Sequence, residues 1–161
     1  MPVLRRKSIR LPGYDYSTEG SYFITIVTKD RRHLFGEVVN GEVVLNGYGS
    51  IVEEEWARSA AIRKEIELDE YVIMPNHFHA IVHIIPTSSI NDNHRTGDRP
   101  VAPTNPIGPK PKSLGALMAG FKSAVTTRIN TLRHTPGTPV WQRNYFSPSR
   151  KNRSGAQRPR T

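Results

Sequence analysis

The chain has 161 residues, 23 Lys and Arg against 14 Asp and Glu, a formal charge of +9 and a pI near 10.2, which bounds it to about one domain with a polyanionic partner. It has no cysteine, so disulfides, thiolate metal sites and cysteine nucleophiles are excluded. No apolar run could cross a bilayer and no apolar signal core follows the basic start, so a cytoplasmic protein is expected, nucleoid-associated when bound to the nucleic acid that its charge favours as a partner.

Arg5, Arg6, Lys7 and Arg10 crowd the start as a basic arm. The β-branched and aromatic run at 22–28, Tyr-Phe-Ile-Thr-Ile-Val-Thr, predicts a buried first strand. Residues 34–45 read as a hairpin turned at Asn40-Gly41, because both turn positions need positive φ. From 46 to about 64 the period becomes helical, with Val52, Trp56 and Ala60 on one stripe. Glu53, Glu54 and Glu55 then fall in the early turns, where the helix dipole favours acids.

Residues 68–85 predict a second hairpin bent at Pro75-Asn76. In it His77 and His79 leave the same strand face, with Cα atoms roughly 6.6 Å apart, close enough to share one metal ion. Phe78, Ala80, Val82 and Ile84 take the other face, which reads as core. His83 shares the histidine face but lies about 13 Å from His79 along the strand, so it is placed as an orienting or phosphate-facing residue. For an isolated His-x-His, two histidines on a wet sheet face is the better reading. His33, His94 and His134 fall in turns or loops and are read as surface histidines.

Residues 86–112, rich in Pro, Ser, Asn, Asp and Gly, read as a flexible insertion. Ser113 is a good N-cap for a second helix. Leu114, Leu117, Met118, Phe121, Val125, Ile129 and Leu132 give that helix its core stripe, with Lys122 and Arg128 off it. A last strand starts at 140 and is cut short at 146. Residues 147–161 hold no acid and no apolar periodicity, a basic tail expected to be disordered. Strand, helix, strand, strand, helix and an incomplete strand is the order of an α+β, ferredoxin-like split β-α-β sandwich. It has an antiparallel sheet, two helices on one face, and the histidines on the other, open face.

Met74-Pro75-Asn76-His77-Phe78-His79 resembles the His-hydrophobe-His (HUH) motif of single-tyrosine transposases, and more narrowly the REP-associated tyrosine transposases. The resemblance runs over about residues 4–146. It takes in Arg10-Leu11-Pro12-Gly13-Tyr14-Asp15-Tyr16, Gly20-Ser21-Tyr22-Phe23-Ile24-Thr25, Leu34-Phe35-Gly36, Leu68-Asp69-Glu70, Phe121-Lys122-Ser123 and Trp141-Gln142-Arg143-Asn144-Tyr145. It implies DNA transposition: metal-assisted cleavage and transfer of single-stranded DNA folded into palindromic hairpins. His77, His79 and a third polar ligand would hold Mg²⁺ or Mn²⁺ against the scissile phosphate, and a tyrosine would attack to leave a 5′-phosphotyrosine. Arg5, Arg6, Lys7 and Arg10 would reach phosphates, and Lys122 or Arg143 would line the strand path.

The sequence also departs from that pattern. In the family the strand begun by Trp-Gln-Arg-Asn-Tyr continues, and a helix follows that carries the nucleophilic tyrosine; here no tyrosine follows Phe146. The resemblance thus implies a truncated or frameshifted copy, which sequencing of the locus would test. Tyr145 is the remaining candidate nucleophile, but it matches a strand position, so packing or base stacking is favoured. Two alternatives follow: an inactive DNA-binding remnant, and a metal-dependent hydrolase using His77, His79 and an acid such as Glu70. The hydrolase lacks any His-Glu-x-x-His or comparable cluster. Monomer and homodimer both stay open.

Overall fold

The computed structural model describes residues 18–86, 109, 112–143 and 145. Arg5, Arg6, Lys7, Arg10, nearly all of the 86–112 insertion and the 147–161 tail therefore lie outside the described residues.

The first β-rich run forms β1 (Gly20–Val27), with Tyr22, Ile24 and Ile26 buried and the residues between them turned outward. β4 (Ile66–Met74) and β5 (His77–Ile84) form the histidine hairpin, and β5 alternates strictly between half-buried and buried residues. β1 pairs antiparallel with β5 from Gly20↔Ile84 to Val27↔His77, and β4 pairs antiparallel on the other side. The order β1-β5-β4 makes the histidine strand central. A bulge between Leu68 and Tyr71 shifts the β4 register. β2 (Gly36–Val39) and β3 (Glu42–Leu45) form a separate two-stranded sheet. Asn40 and Gly41 join them with φ of 53° and 84°, the positive values the turn demands.

α1 (Gly47–Ile62) begins at Asn46, whose side-chain oxygen accepts from the Tyr48 and Gly49 amides at 2.9 and 3.1 Å. Its Nδ2 also donates to the Leu34 carbonyl at 2.9 Å, fastening the start of the helix to the segment that leads into β2. Gly49 is required for close approach, since a Cβ there would run into the Phe35 carbonyl. Asn46→Ala is expected to lower stability by about 1–2 kcal/mol, read as a lower urea midpoint with an unchanged m-value.

α2 (Leu114–Leu132) starts at Ser113, whose hydroxyl accepts from the Ala116 amide. Leu114, Leu117, Met118, Phe121, Val125 and Ile129 are buried as predicted, together with Val52 and Trp56 of α1 and the inward residues of β1 and β5. Both helices thus cover one face of the antiparallel sheet, in the α+β arrangement that the order of elements implies. At the centre, the Phe78 ring lies 5.0 Å from Trp56 and 5.4 Å from Phe121, and Trp56 lies 5.2 Å from Phe121. No helix among the described residues is long and apolar enough to cross a membrane.

Four expectations need correction. Ala60 is exposed, because the inward position after Trp56 is three residues on, at Ser59, whose hydroxyl donates to the Glu55 carbonyl. Leu132, the last residue of α2, is exposed beyond the end of the core. Glu53, Glu54 and Glu55 lie past the first turn of α1, and Glu55 is buried. It accepts from Arg128 at 2.9 Å, while Glu54 takes the other arm of the same guanidinium at 2.6 Å. Those two bonds hold the Arg128 pKa up and tie α2 to α1. Finally, the strand predicted at 140–146 is represented among the described residues by one antiparallel bridge, Thr28↔Trp141.

Candidate functional site

The turn ahead of His77 is held from below. Thr28, fully buried, donates its amide to the Asn76 carbonyl at 2.9 Å, its hydroxyl lies between the Arg32 carbonyl at 2.7 Å and the Asn76 carbonyl at 3.0 Å, and the Phe35 amide donates to the Pro75 carbonyl at 2.9 Å. With the turn fixed, strand parity does the rest. Phe78 enters the core while His77 and His79 stand on the open face, ring centroids 4.6 Å apart and steeply inclined at 75°.

Each imidazole is tied through Nδ1. The Asn76 Nδ2 is directed at the Arg31 carbonyl, 3.5 Å away, which leaves its Oδ1 to accept from His77 Nδ1 at 2.6 Å. That bond places the His77 proton on Nδ1 and an unprotonated lone pair on Nε2. His79 Nδ1 lies 2.8 Å from the Thr25 hydroxyl, directly across the β1–β5 ladder, and its ring stacks on Phe23 at 5.5 Å. An oxygen partner on one nitrogen, which fixes the ring and leaves the other free, is how metal-binding histidines are commonly oriented. Phe23 and Val72 beside them are about two-fifths exposed, so the pair stands on an apolar floor open to solvent.

Burial lowers the pKa of both rings below the ordinary 6.5, and for His77 the neighbouring His79 adds to the effect. Both are therefore neutral at pH 7, the state in which imidazole can act as a ligand. In the unfolded chain the same groups bind protons more readily. Stability therefore holds above pH 6.5 and falls as the pH drops from there towards the folded values. NMR titration of the two imidazole Cε1–H resonances should give midpoints below 6.5; a midpoint above it for either ring would contradict this environment.

His83 has both ring nitrogens engaged, with the Ser21 hydroxyl at 2.7 Å from Nδ1 and Asp69 Oδ2 at 3.0 Å from Nε2. Its bond to Asp69 draws that carboxyl below its usual value. His83 thus buttresses the far end of the face. Among the described residues no group of three or more His, Asp or Glu is placed to hold a metal ion, so neither His83 nor Glu70 completes the pair. Lys122 lies on α2, and its ammonium donates to the Gln142 carbonyl at 2.9 Å. Arg143 is exposed at the end of the segment that bridges to Thr28. Tyr145 is 4% exposed with a buried hydroxyl. Thr25, Thr28 and Asn76 were not singled out from sequence. The position of Asn76 in the Pro-Asn turn before His77 was the one available signal.

A structure of a REP-associated tyrosine transposase bound to a REP hairpin is similar to this chain, with a TM-score of 0.55 and 12% sequence identity. The match covers 89% of this chain and 62% of that one, so the chain spans about three-fifths of the transposase's length and shares a transposase-like fold with it. A Deinococcus radiodurans crystal structure assigned provisionally to the transposases matches with a TM-score of 0.44 and 17% identity, over 89% of this chain and 86% of the other. No protein-family model matches the sequence. A Haemophilus influenzae protein described as uncharacterized is 36% identical over 144 residues, which cover 89% of this chain and 78% of the relative. Identity of that extent makes the chain a member of the same family as this Haemophilus influenzae protein.

Proposed function

We propose that the open sheet face binds single-stranded DNA folded into a hairpin, with His77 and His79 holding a divalent ion, Mg²⁺ or Mn²⁺, against one phosphate. The observation that carries this reading is the pair of neutral imidazoles on the sheet face that neither described helix covers, their Nδ1 atoms tied and Nε2 of His77 left as a free lone pair. Two imidazoles are borderline donors, so Mg²⁺ or Mn²⁺ held by them would draw most of its coordination from water and phosphate oxygens. Such an ion, when bound, supplies Lewis-acid neutralisation of phosphate charge. The chain's own contribution is to fix the two rings through Asn76 and Thr25, keep them unprotonated, and offer Phe23 as a flat apolar surface beside them. The +9 charge adds the long-range attraction that a nucleic acid needs. A REP hairpin is what the structurally similar transposase holds.

Strand cleavage through a phosphotyrosine would need a phenol on this face. Among the described tyrosines none stands there. Tyr22 and Tyr145 are buried, Tyr48 packs against the core, and Tyr71 bonds Glu53 on the helical side of the sheet. Binding without a covalent adduct is therefore the reading that the described residues favour. The hydrolase alternative has no third acidic ligand beside the pair among those residues. The test is a labelled DNA hairpin with Mn²⁺ and the purified chain, run on native and denaturing gels. A native shift strengthened by Mn²⁺ with no adduct is expected. A covalent adduct abolished by Tyr145→Phe would overturn the assignment of Tyr145 to packing.

A further inference from the structure

We propose that a cavity beside His77, between the turn at Lys29–Arg31 and residues 139–143, takes one nucleotide of the bound strand, its phosphate on Lys29 and Arg143 and its base edge on Gln142. This rests on the reading of the open face as a DNA site and names a part of it that the histidines do not supply.

The backbone places the cavity. Thr28 holds the Asn76 carbonyl on one side, and on the other it faces Trp141. The Lys29 amide donates to Val140 and the Gln142 amide to Val27, both at 2.8 Å, while Val27 is the ladder partner of His77. The segments that line the cavity are thus hydrogen-bonded to each other and to the end of β1 that pairs with His77. Its volume is about 550 Å³, within the range of small-molecule sites, and Lys29, Asp30, Pro139, Trp141, Gln142 and Arg143 line it.

The lining suits a nucleotide. Two cations against one carboxylate leave a net positive site for phosphate. The Lys29–Asp30 pair, 3.2 Å apart with both side chains more than half exposed, is a weak surface pair that an incoming phosphate can displace. Gln142 has its backbone amide committed to Val27 and its carbonyl to Lys122. Its side-chain amide makes no hydrogen bond within the described residues, so two donors and an acceptor stay available for a base edge.

The wall itself is strained. Asp30 and Arg31, neither of them glycine, follow one another at φ of 57° and 54°. Such a pair persists only where its surroundings hold it, and strained turns of this kind concentrate at ligand-binding sites. Here the Arg31 amide donates to Thr28 at 3.1 Å, and Asn76, the same residue that orients His77, faces the Arg31 carbonyl.

The test measures fluorescence anisotropy of the full chain with a fluorescein-labelled DNA hairpin bearing a short single-stranded extension, in versions with one abasic site at each extension position. For the wild type, one abasic position should weaken binding about five- to tenfold, on the scale of single-base contacts. Gln142→Ala should weaken binding of the intact strand by a similar factor and be indifferent to that abasic site. Lys29→Ala should weaken every strand alike and reduce the salt slope by about one. An unchanged thermal midpoint in each variant separates lost binding from lost folding. If the wild type binds but no abasic position matters, or Gln142→Ala responds to all of them as the wild type does, the nucleotide pocket is overturned and the DNA-binding face stands. If the wild type binds no hairpin, both fall.

Discussion

Phe78→Ala should cost about 3–5 kcal/mol, the largest single-residue loss of stability in this fold. Phe78 is fully buried, lies edge-on to Trp56 at 5.0 Å and beside Phe121 at 5.4 Å, and stands on the central strand of the three. Truncating it opens a cavity where both helices meet the sheet, and the aromatic rings around it cannot collapse without leaving their own contacts. Against a total stability of about 5–15 kcal/mol for a domain of this kind, a loss of that size leaves a substantial unfolded fraction. Urea unfolding followed by circular dichroism reads the difference. A loss below about 1.5 kcal/mol would show that Phe78 is not the keystone described here. Phe78→Leu, which keeps most of the volume, should cost much less than Phe78→Ala.

His77→Ala and His79→Ala should do the reverse, leaving stability within about 0.5 kcal/mol while removing Mn²⁺ binding. Both side chains stand on an open face and pack mainly on each other and on Phe23, so little core is lost with them. If the two rings share one ion, the double variant should be no worse for Mn²⁺ than either single one, because each single change already destroys the site. Thr25→Val removes the Nδ1 partner of His79, and Asn76→Ala removes that of His77 together with the long contact to the Arg31 carbonyl. Each should weaken Mn²⁺ by about 10–100-fold, the usual cost of losing an orienting partner. Isothermal titration with Mn²⁺ reads all four. Equal affinity in Thr25→Val, Asn76→Ala and the wild type would mean that the two oxygens do not orient the rings.

Much of this was legible in the residues because parity and periodicity are local properties. The alternation from His77 to Ile84 assigned the two faces of β5 before any partner strand was known. The stripe from Leu114 to Ile129 in the same way assigned the buried side of α2. Asn40-Gly41 announced its hairpin by turn chemistry alone. What escaped depends on residues far apart in sequence. Thr25 meets His79 only through the β1–β5 register, and Thr28 reaches Asn76 across 48 residues. Asp69 reaches His83 beside a bulge that no sequence period signals. Glu55 reads from the local sequence only as an acid in an early turn of α1, because its partner Arg128 is 73 residues away on the other helix. Among the described residues the expected last strand is represented by the Thr28↔Trp141 bridge, which the amide–carbonyl bonds from Lys29 to Val140 and from Gln142 to Val27 make across more than 110 residues of sequence.

The most direct measurement is Mn²⁺-induced paramagnetic broadening in the NMR spectrum of the chain bound to a DNA hairpin. Loss of the His77 and His79 imidazole signals, together with those of Thr25 and Phe23, at Mn²⁺ levels that spare His33 and His134, is the predicted result. Broadening centred elsewhere, or none at these two rings, would contradict a metal-assisted phosphate site on the open face.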